Sequence, residues 1–183
     1  FDLGMRINLD ASRQLLDVCR SRGHTPRVVF TSSVAVYGGA LPDMVLDTTA
    51  LNPRSSYGVQ KAIGELLVGD YSRRGFIDGR VLRLPTISVR PGWPNKAASS
   101  FASGIIREPL QDQEAICPVS RETRLWLLSP RQAIESLIVG HELEAKVLET
   151  GRTVNLPGIS VTVAEMVAAL EKLSSRETVQ LIR

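Results

Sequence analysis

The stretch Arg27-Val28-Val29-Phe30 constrains this chain more than any other. After its arginine it is β-branched and aromatic, with no alternation of apolar and polar residues. That is the pattern of a strand covered on both faces, as in a parallel sheet. Such a strand needs helices to cover it, and the sequence offers one before and one after. Leu3, Ile7, Leu15, Leu16 and Val18 fall on one side of a wheel of helical period, which predicts an amphipathic helix from about Leu3 to Arg22, ended by Gly23. Ile63, Leu66, Leu67 and Tyr71 predict a second from about Ser55 to Arg74, stopped by Gly75. Arg80 to Leu84 reads as another strand, broken by Pro85. Helix, strand, helix and strand in succession define a layered α/β domain.

Beyond Pro85 the pattern becomes shorter and more mixed. Arg90 to Lys96 carries prolines and a glycine and cannot be regular structure. Ala98 to Arg107 predicts a modest helix, and Ala115 to Cys117 and Arg124 to Leu128 predict short strands. Ser129-Pro130 places an N-cap and an N1 proline before a helix carrying Ile134, Leu137, Ile138 and Leu143. Thr153 to Leu156 reads as a strand, Thr162-Val163-Ala164-Glu165 as a capping box opening a helix to Leu173, and Glu177 to Ile182 as a last strand. The expected boundary therefore lies near Pro85, with residues 1–85 forming the sheet-and-helix part and residues 86–183 a mixed lobe from which some elements return to the core.

Composition narrows the function. The net charge is +3, and no basic run exceeds Arg73-Arg74, so no nucleic-acid partner is expected. Cys19 and Cys117 lie far apart without metal-ligand spacing around them, which points to neither a disulfide framework nor a zinc site. No apolar run is long enough to span a membrane, and residues 1–6 lack the build of a signal peptide, so the expected compartment is a reducing cytoplasm. The chain opens on Phe1 and runs at once into a helical pattern, which reads as the middle of a longer protein.

The chemistry concentrates between Ser33 and Lys61. Residues four apart on a helix share a face, so Tyr57 and Lys61 point the same way. An ammonium beside a phenol favours the phenolate, the form that can take a proton from an alcohol. Ser33, at a strand's carboxyl end, can hold a substrate hydroxyl or carbonyl beside it. The bland alternative is an exposed ion-friendly pair on a solvated helix face.

Phe30-Thr-Ser-Ser-Val-Ala-Val-Tyr-Gly38 followed by Ser56-Tyr-Gly-Val-Gln-Lys61 resembles the extended short-chain dehydrogenase/reductases, the group of NAD-dependent epimerases and dehydratases. Asn8-Leu-Asp-Ala-Ser-Arg-Gln-Leu-Leu16 is similar to that group's Asn-x-x-Gly-Thr-x-x-Leu-Leu helix, with Ala11 and Ser12 in place of Gly and Thr. Arg83 to Ala97 and Trp126 to Arg131 most resemble a narrower branch that oxidises D-erythronate. The resemblance implies a Rossmann-like, doubly wound parallel sheet with a small C-terminal mixed α/β substrate lobe. It further implies Tyr57 as general acid/base, Ser33 as the hydroxyl that polarises the substrate, and Lys61 as the partner of both the tyrosine and the nicotinamide ribose. Asn8, Ser32, Pro85 and Thr86 would line the NAD cofactor, and Arg90 and Asn95 would meet the carboxylate of a small sugar-acid substrate. A homodimer through the first helix and the Tyr57 helix is the expected assembly.

One part of that group's pattern is missing. No Gly-x-x-Gly-x-x-Gly or Gly-x-Gly-x-x-Gly turn precedes the serine, and that turn grips the dinucleotide pyrophosphate. Two explanations stand, a chain that is part of a longer protein and a divergent form without cofactor. The functional alternatives are a nucleotide-sugar epimerase or dehydratase and a non-catalytic dinucleotide-sensing relative.

Overall fold

In chain order the regular elements are α1 (Asp2–Gly4), α2 (Ala11–Arg22), β1 (Arg27–Ser33), α3 (Ser56–Arg73), β2 (Asp78–Leu84), β3 (Thr86–Ile87), α4 (Phe101–Arg107), β4 (Arg124–Leu128), α5 (Pro130–Glu142), β5 (Thr153–Asn155), β6 (Ile159–Thr162), α6 (Val163–Leu173) and α7 (Arg176–Val179). The computed structural model describes residues 1–90, 98–148 and 151–183. They form two units, one of Phe1–Leu84 with Ile134–Leu156, the other of Pro85–Ala133 with Pro157–Arg183.

The first unit is built on a parallel sheet of order β1-β2-β5. Phe30 lies opposite Val81 and Ser32 opposite Arg83, so these four side chains project from one face. That face is covered by α2 and α3: Leu16, Val68, Ile77 and Val81 form the core there, with Val28, Phe30, Leu67 and Tyr71 packed against it. The other face carries α5, whose Gly140 approaches so closely that a Cβ on it would sit 2.6 Å from Leu82 Cδ1. Helices on both faces are the physical reason why neither β1 nor β2 alternates in polarity. The sheet is thus of the Rossmann-like, doubly wound kind. Arg80, fully buried, donates to the Leu143 carbonyl at 2.6 Å just beyond α5 and pairs with Asp78 at 2.9 Å.

The expected first helix is one helical run with a difference: Met5–Asp10, between α1 and α2, is π-helical. The wider turn carries Asn8, whose Nδ2 donates to Gln60 Oε1 on α3 at 2.8 Å. Of the apolar stripe on this run only Leu16 is buried, while Leu3, Ile7, Leu15 and Val18 are exposed.

The second unit holds a sheet of order β3-β4-β6, with β3 parallel and β6 antiparallel to β4. Ala102, Ile105, Leu127, Val163, Met166 and Val167 form its core. The capping box at α6 is present: Thr162 Oγ1 accepts from Glu165 N at 3.1 Å, and Glu165 Oε2 accepts from Thr162 N at 2.6 Å.

Two expectations are corrected here, and one strand is added. Glu177 to Ile182 is not a strand: Ser175 caps Thr178 N at 3.3 Å and starts the short helix α7, and this local cap outweighs the β propensity of the sequence after it. Ala115 to Cys117 reduces to one bridge, Ala115 to Ile182. The strand β6 was not anticipated, because it follows Gly158 directly and is only partly buried. Among the described residues no helix is long and apolar enough to cross a membrane.

Candidate functional site

The site grows from the end of β1 in the first unit. Side chains alternate along a strand, so Phe30 and Ser32 face α3 while Thr31 and Ser33 do not. Ser33 then becomes the N-cap of the turn Val34–Val36, its Oγ accepting from Ala35 N at 3.2 Å. That bond uses a lone pair and leaves the hydroxyl proton of Ser33 to be donated elsewhere.

Helix α3 begins against this turn. Ser55 caps it, accepting from Gly58 N at 3.1 Å, and the Val34–Val36 turn lies so near that a Cβ on Gly58 would fall 2.1 Å from the Ala35 carbonyl oxygen. Only glycine permits that approach, and it brings the first turn of the helix, with Tyr57, up to the segment that carries Ser33. Tyr57 is 45% exposed, and its hydroxyl makes no hydrogen bond to any described residue. One turn on, Lys61 Nζ donates to the Thr31 carbonyl at 2.8 Å and lies 4.9 Å from the Phe30 ring centroid and 5.7 Å from that of Tyr57. Burial pushes the Lys61 ammonium below the ordinary lysine pKa.

The other residues expected at the site are placed as follows. Asn8 is held on Gln60, next in sequence to Lys61. Ser32 is buried, and its hydroxyl is bonded to the Glu65 carboxylate. Pro85, Thr86 and Arg90 belong to the second unit. Thr86 pairs with Leu127 on β4. Arg90 is tied to α4 through its backbone, N to Ser103 Oγ at 3.2 Å and O to Arg107 Nη1 at 2.7 Å. Asn95 lies outside the described residues. In the second unit a cleft of about 540 Å³ is lined by Ser88, Val89, Leu127, Leu128 and Ser129 among others.

Sequence reasoning passed over a buried polar cluster on the same helix and strand end as Lys61 and Ser33. Arg83 donates from Nε to Glu65 Oε1 and Oε2 at 3.0 and 3.1 Å and from Nη2 to Oε2 at 2.7 Å, and both side chains are nearly inaccessible. Its Nη1 reaches the Tyr37 hydroxyl at 2.5 Å and the Asp47 carbonyl at 3.0 Å, and the Tyr37 hydroxyl donates to Asn155 Oδ1 at 2.7 Å. Burial alone would lower the pKa of Arg83, but the bonds and charge of Glu65 more than offset it and the pKa rises. The signal was present in the sequence: Glu65 stands four residues after Lys61, on the same face, and Arg83 stands between Leu82 and Leu84 in a strand that is covered on both faces.

Residues 3–127 match the family described as the NAD dependent epimerase/dehydratase family. The chain belongs to this family. It is 71% identical over 174 residues to a D-erythronate dehydrogenase from Cupriavidus necator, covering 95% of this chain and 54% of the relative. A D-erythronate dehydrogenase from Haemophilus influenzae is 50% identical over 182 residues, covering 100% of this chain and 58% of the relative. The crystal structure of a nucleoside-diphosphate-sugar epimerase from Agrobacterium tumefaciens is 51% identical, with a TM-score of 0.94 over 100% of this chain and 55% of that chain. The chain thus spans about half the length of the relatives it matches.

Proposed function

We propose that this chain carries the reaction-centre part of an NAD-dependent dehydrogenase that oxidises a secondary alcohol of a small sugar acid, of the D-erythronate kind, to the 2-oxo acid. The observation that carries the reading is the position of Lys61, bonded to the strand end at Thr31 and 5.7 Å from the ring of an accessible Tyr57. The names of the relatives support the substrate class.

In this reading the Tyr57 oxygen accepts the proton of the substrate hydroxyl, and the positive charge of Lys61 favours the negative charge on that oxygen. Ser33 donates its free hydroxyl proton to the substrate oxygen and fixes it beside Tyr57. When bound, the nicotinamide supplies the acceptor for the hydride that leaves the same carbon. The donors present suit its ribose side: Lys61 uses one N–H on Thr31 among the described residues and has two more for hydroxyls. They do not suit the pyrophosphate, for which this sequence has no Gly-rich turn. Asn8, Pro85 and Thr86 are proposed on the cofactor side. Ser32, with its hydroxyl on Glu65, offers only its backbone there. Arg90 and Asn95 are proposed for the substrate carboxylate.

The test is Tyr57→Phe in the full-length protein, assayed with D-erythronate and NAD. Turnover should fall by about two to four orders of magnitude while NAD affinity stays within a few-fold. Near-normal turnover would sink the proposal. The similarity to a solved nucleoside-diphosphate-sugar epimerase favours a second reading, in which the oxidised substrate stays bound and is reduced again. Net NADH formation with the free aldonate, and none with nucleotide sugars, separates the two.

A further inference from the structure

We infer that Glu65 is a positioning residue for this site: by holding the Ser32 hydroxyl it fixes the strand end that presents Ser33. The inference rests on the reading of Ser33, Tyr57 and Lys61 given above.

The geometry starts from the sheet register. Ser32 and Arg83 are opposite one another in the parallel pair, so both side chains project toward α3, and Glu65 stands between them. Its carboxylate is gripped by the Arg83 guanidinium through three N–H contacts of 2.7 to 3.1 Å and accepts the Ser32 hydroxyl with the oxygen that faces β1. Arg83 is itself fixed by Tyr37 and the Asp47 carbonyl, and Tyr37 by Asn155 of β5. The carboxylate oxygen that meets Ser32 is therefore tied to all three strands of the sheet.

A buried ion pair of this kind adds little net stability, since apolar side chains of similar volume serve a core equally well. What it does supply is direction: a planar guanidinium fork orients a carboxylate as no apolar contact can. The helix spacing shows what the direction is used for. Tyr57, Lys61 and Glu65 are each four residues apart on α3. Lys61 holds the carbonyl of Thr31 and Glu65 holds the hydroxyl of Ser32, so the next residue, Ser33, emerges at a set height against the first turn of the helix, where Tyr57 stands.

The test removes only the link. In the full-length protein with D-erythronate and NAD, Ser32→Ala keeps the Glu65–Arg83 pair and is expected to lower kcat by about ten- to a hundredfold, the scale of a small misplacement of reacting groups. The KM for NAD should stay within about twofold, because Ser32 offers the cofactor only its backbone, which the substitution keeps. Glu65→Gln strips Arg83 of its counter-charge and is expected to fold poorly. If it folds, the Ser32→Ala/Glu65→Gln pair should lose no more turnover than the worse single variant, and additive losses would overturn the inference. Wild-type kcat in Ser32→Ala beside an inactive Tyr57→Phe would overturn this inference alone. Near-normal turnover in Tyr57→Phe would instead remove the reading beneath it.

Discussion

Lys61 sets two demands against each other. It stays near the Tyr57 ring by lying half-buried over Phe30, and burial lowers its pKa. Between its folded pKa and the ordinary lysine value of 10.5 the unfolded chain binds more protons than the folded one, so stability rises with pH across that window. Relative to Lys61→Met, the wild-type protein should therefore gain stability as pH climbs through the folded pKa toward 10.5 and gain nothing further above it. Urea unfolding of both proteins from about pH 7 to about pH 11 reads this directly, and a difference that does not change with pH would dismiss burial as the cause. At this scale the sequence was half legible. Tyr57 and Lys61 announce themselves by helical spacing, but the partner of Ser32 depends on which residue of β2 lies opposite it, and register is a property of the folded sheet.

At the scale of elements, the approach of α3 to the Val34–Val36 turn depends on one missing methyl group. Gly58→Ala gains helix propensity worth about 1 kcal/mol, yet its Cβ would meet the Ala35 oxygen at 2.1 Å, so the helix must move. The expected outcome is a net loss of about 1–3 kcal/mol with a fall in turnover, as Tyr57 withdraws from Ser33. Gly69, in the same helix, has nothing within 4 Å of a built Cβ, and Gly69→Ala should instead stabilise by about 0.5–1 kcal/mol. Chemical denaturation of the two variants decides it, and equal shifts would refute the account. Elements with strong local signals were readable in advance, as with the Thr162 capping box and the Ser55-capped α3. The π-helical turn at Met5–Asp10, whose Asn8 bonds to Gln60, and the bridge of Ala115 to Ile182 were not, because each involves a partner distant in sequence.

Across the whole molecule apolar residues stand exposed in many places, and in the first unit some of them line up along two helical stretches. Leu3, Ile7, Leu15 and Val18 run along the first helical stretch and Val59 and Leu66 along α3, all exposed, Leu66 by 70%. We propose a second copy of this chain as the occupant of these faces, since a two-fold interface is self-complementary and apolar. Each substitution then counts twice. Leu66→Glu, losing roughly 1.5 kcal/mol of burial per copy, should weaken the dimer by about a hundredfold. Light scattering of the full-length protein across a dilution series tests this, and an unchanged mass would exclude the face.

The return of α5 and β5 to the first unit has a consequence in time. β2 pairs with β5 through Val81 and Thr153, so the third strand of the sheet is made only after the whole stretch from Pro85 to Ala133. Until then the growing chain presents the backbone edge of β2 to its surroundings, with Leu82 uncovered on one face. Closing so long a loop is slow, and an open edge invites pairing with other chains. The vulnerable moment of this protein is its synthesis: any pause after Ala133 prolongs the life of an unfinished sheet.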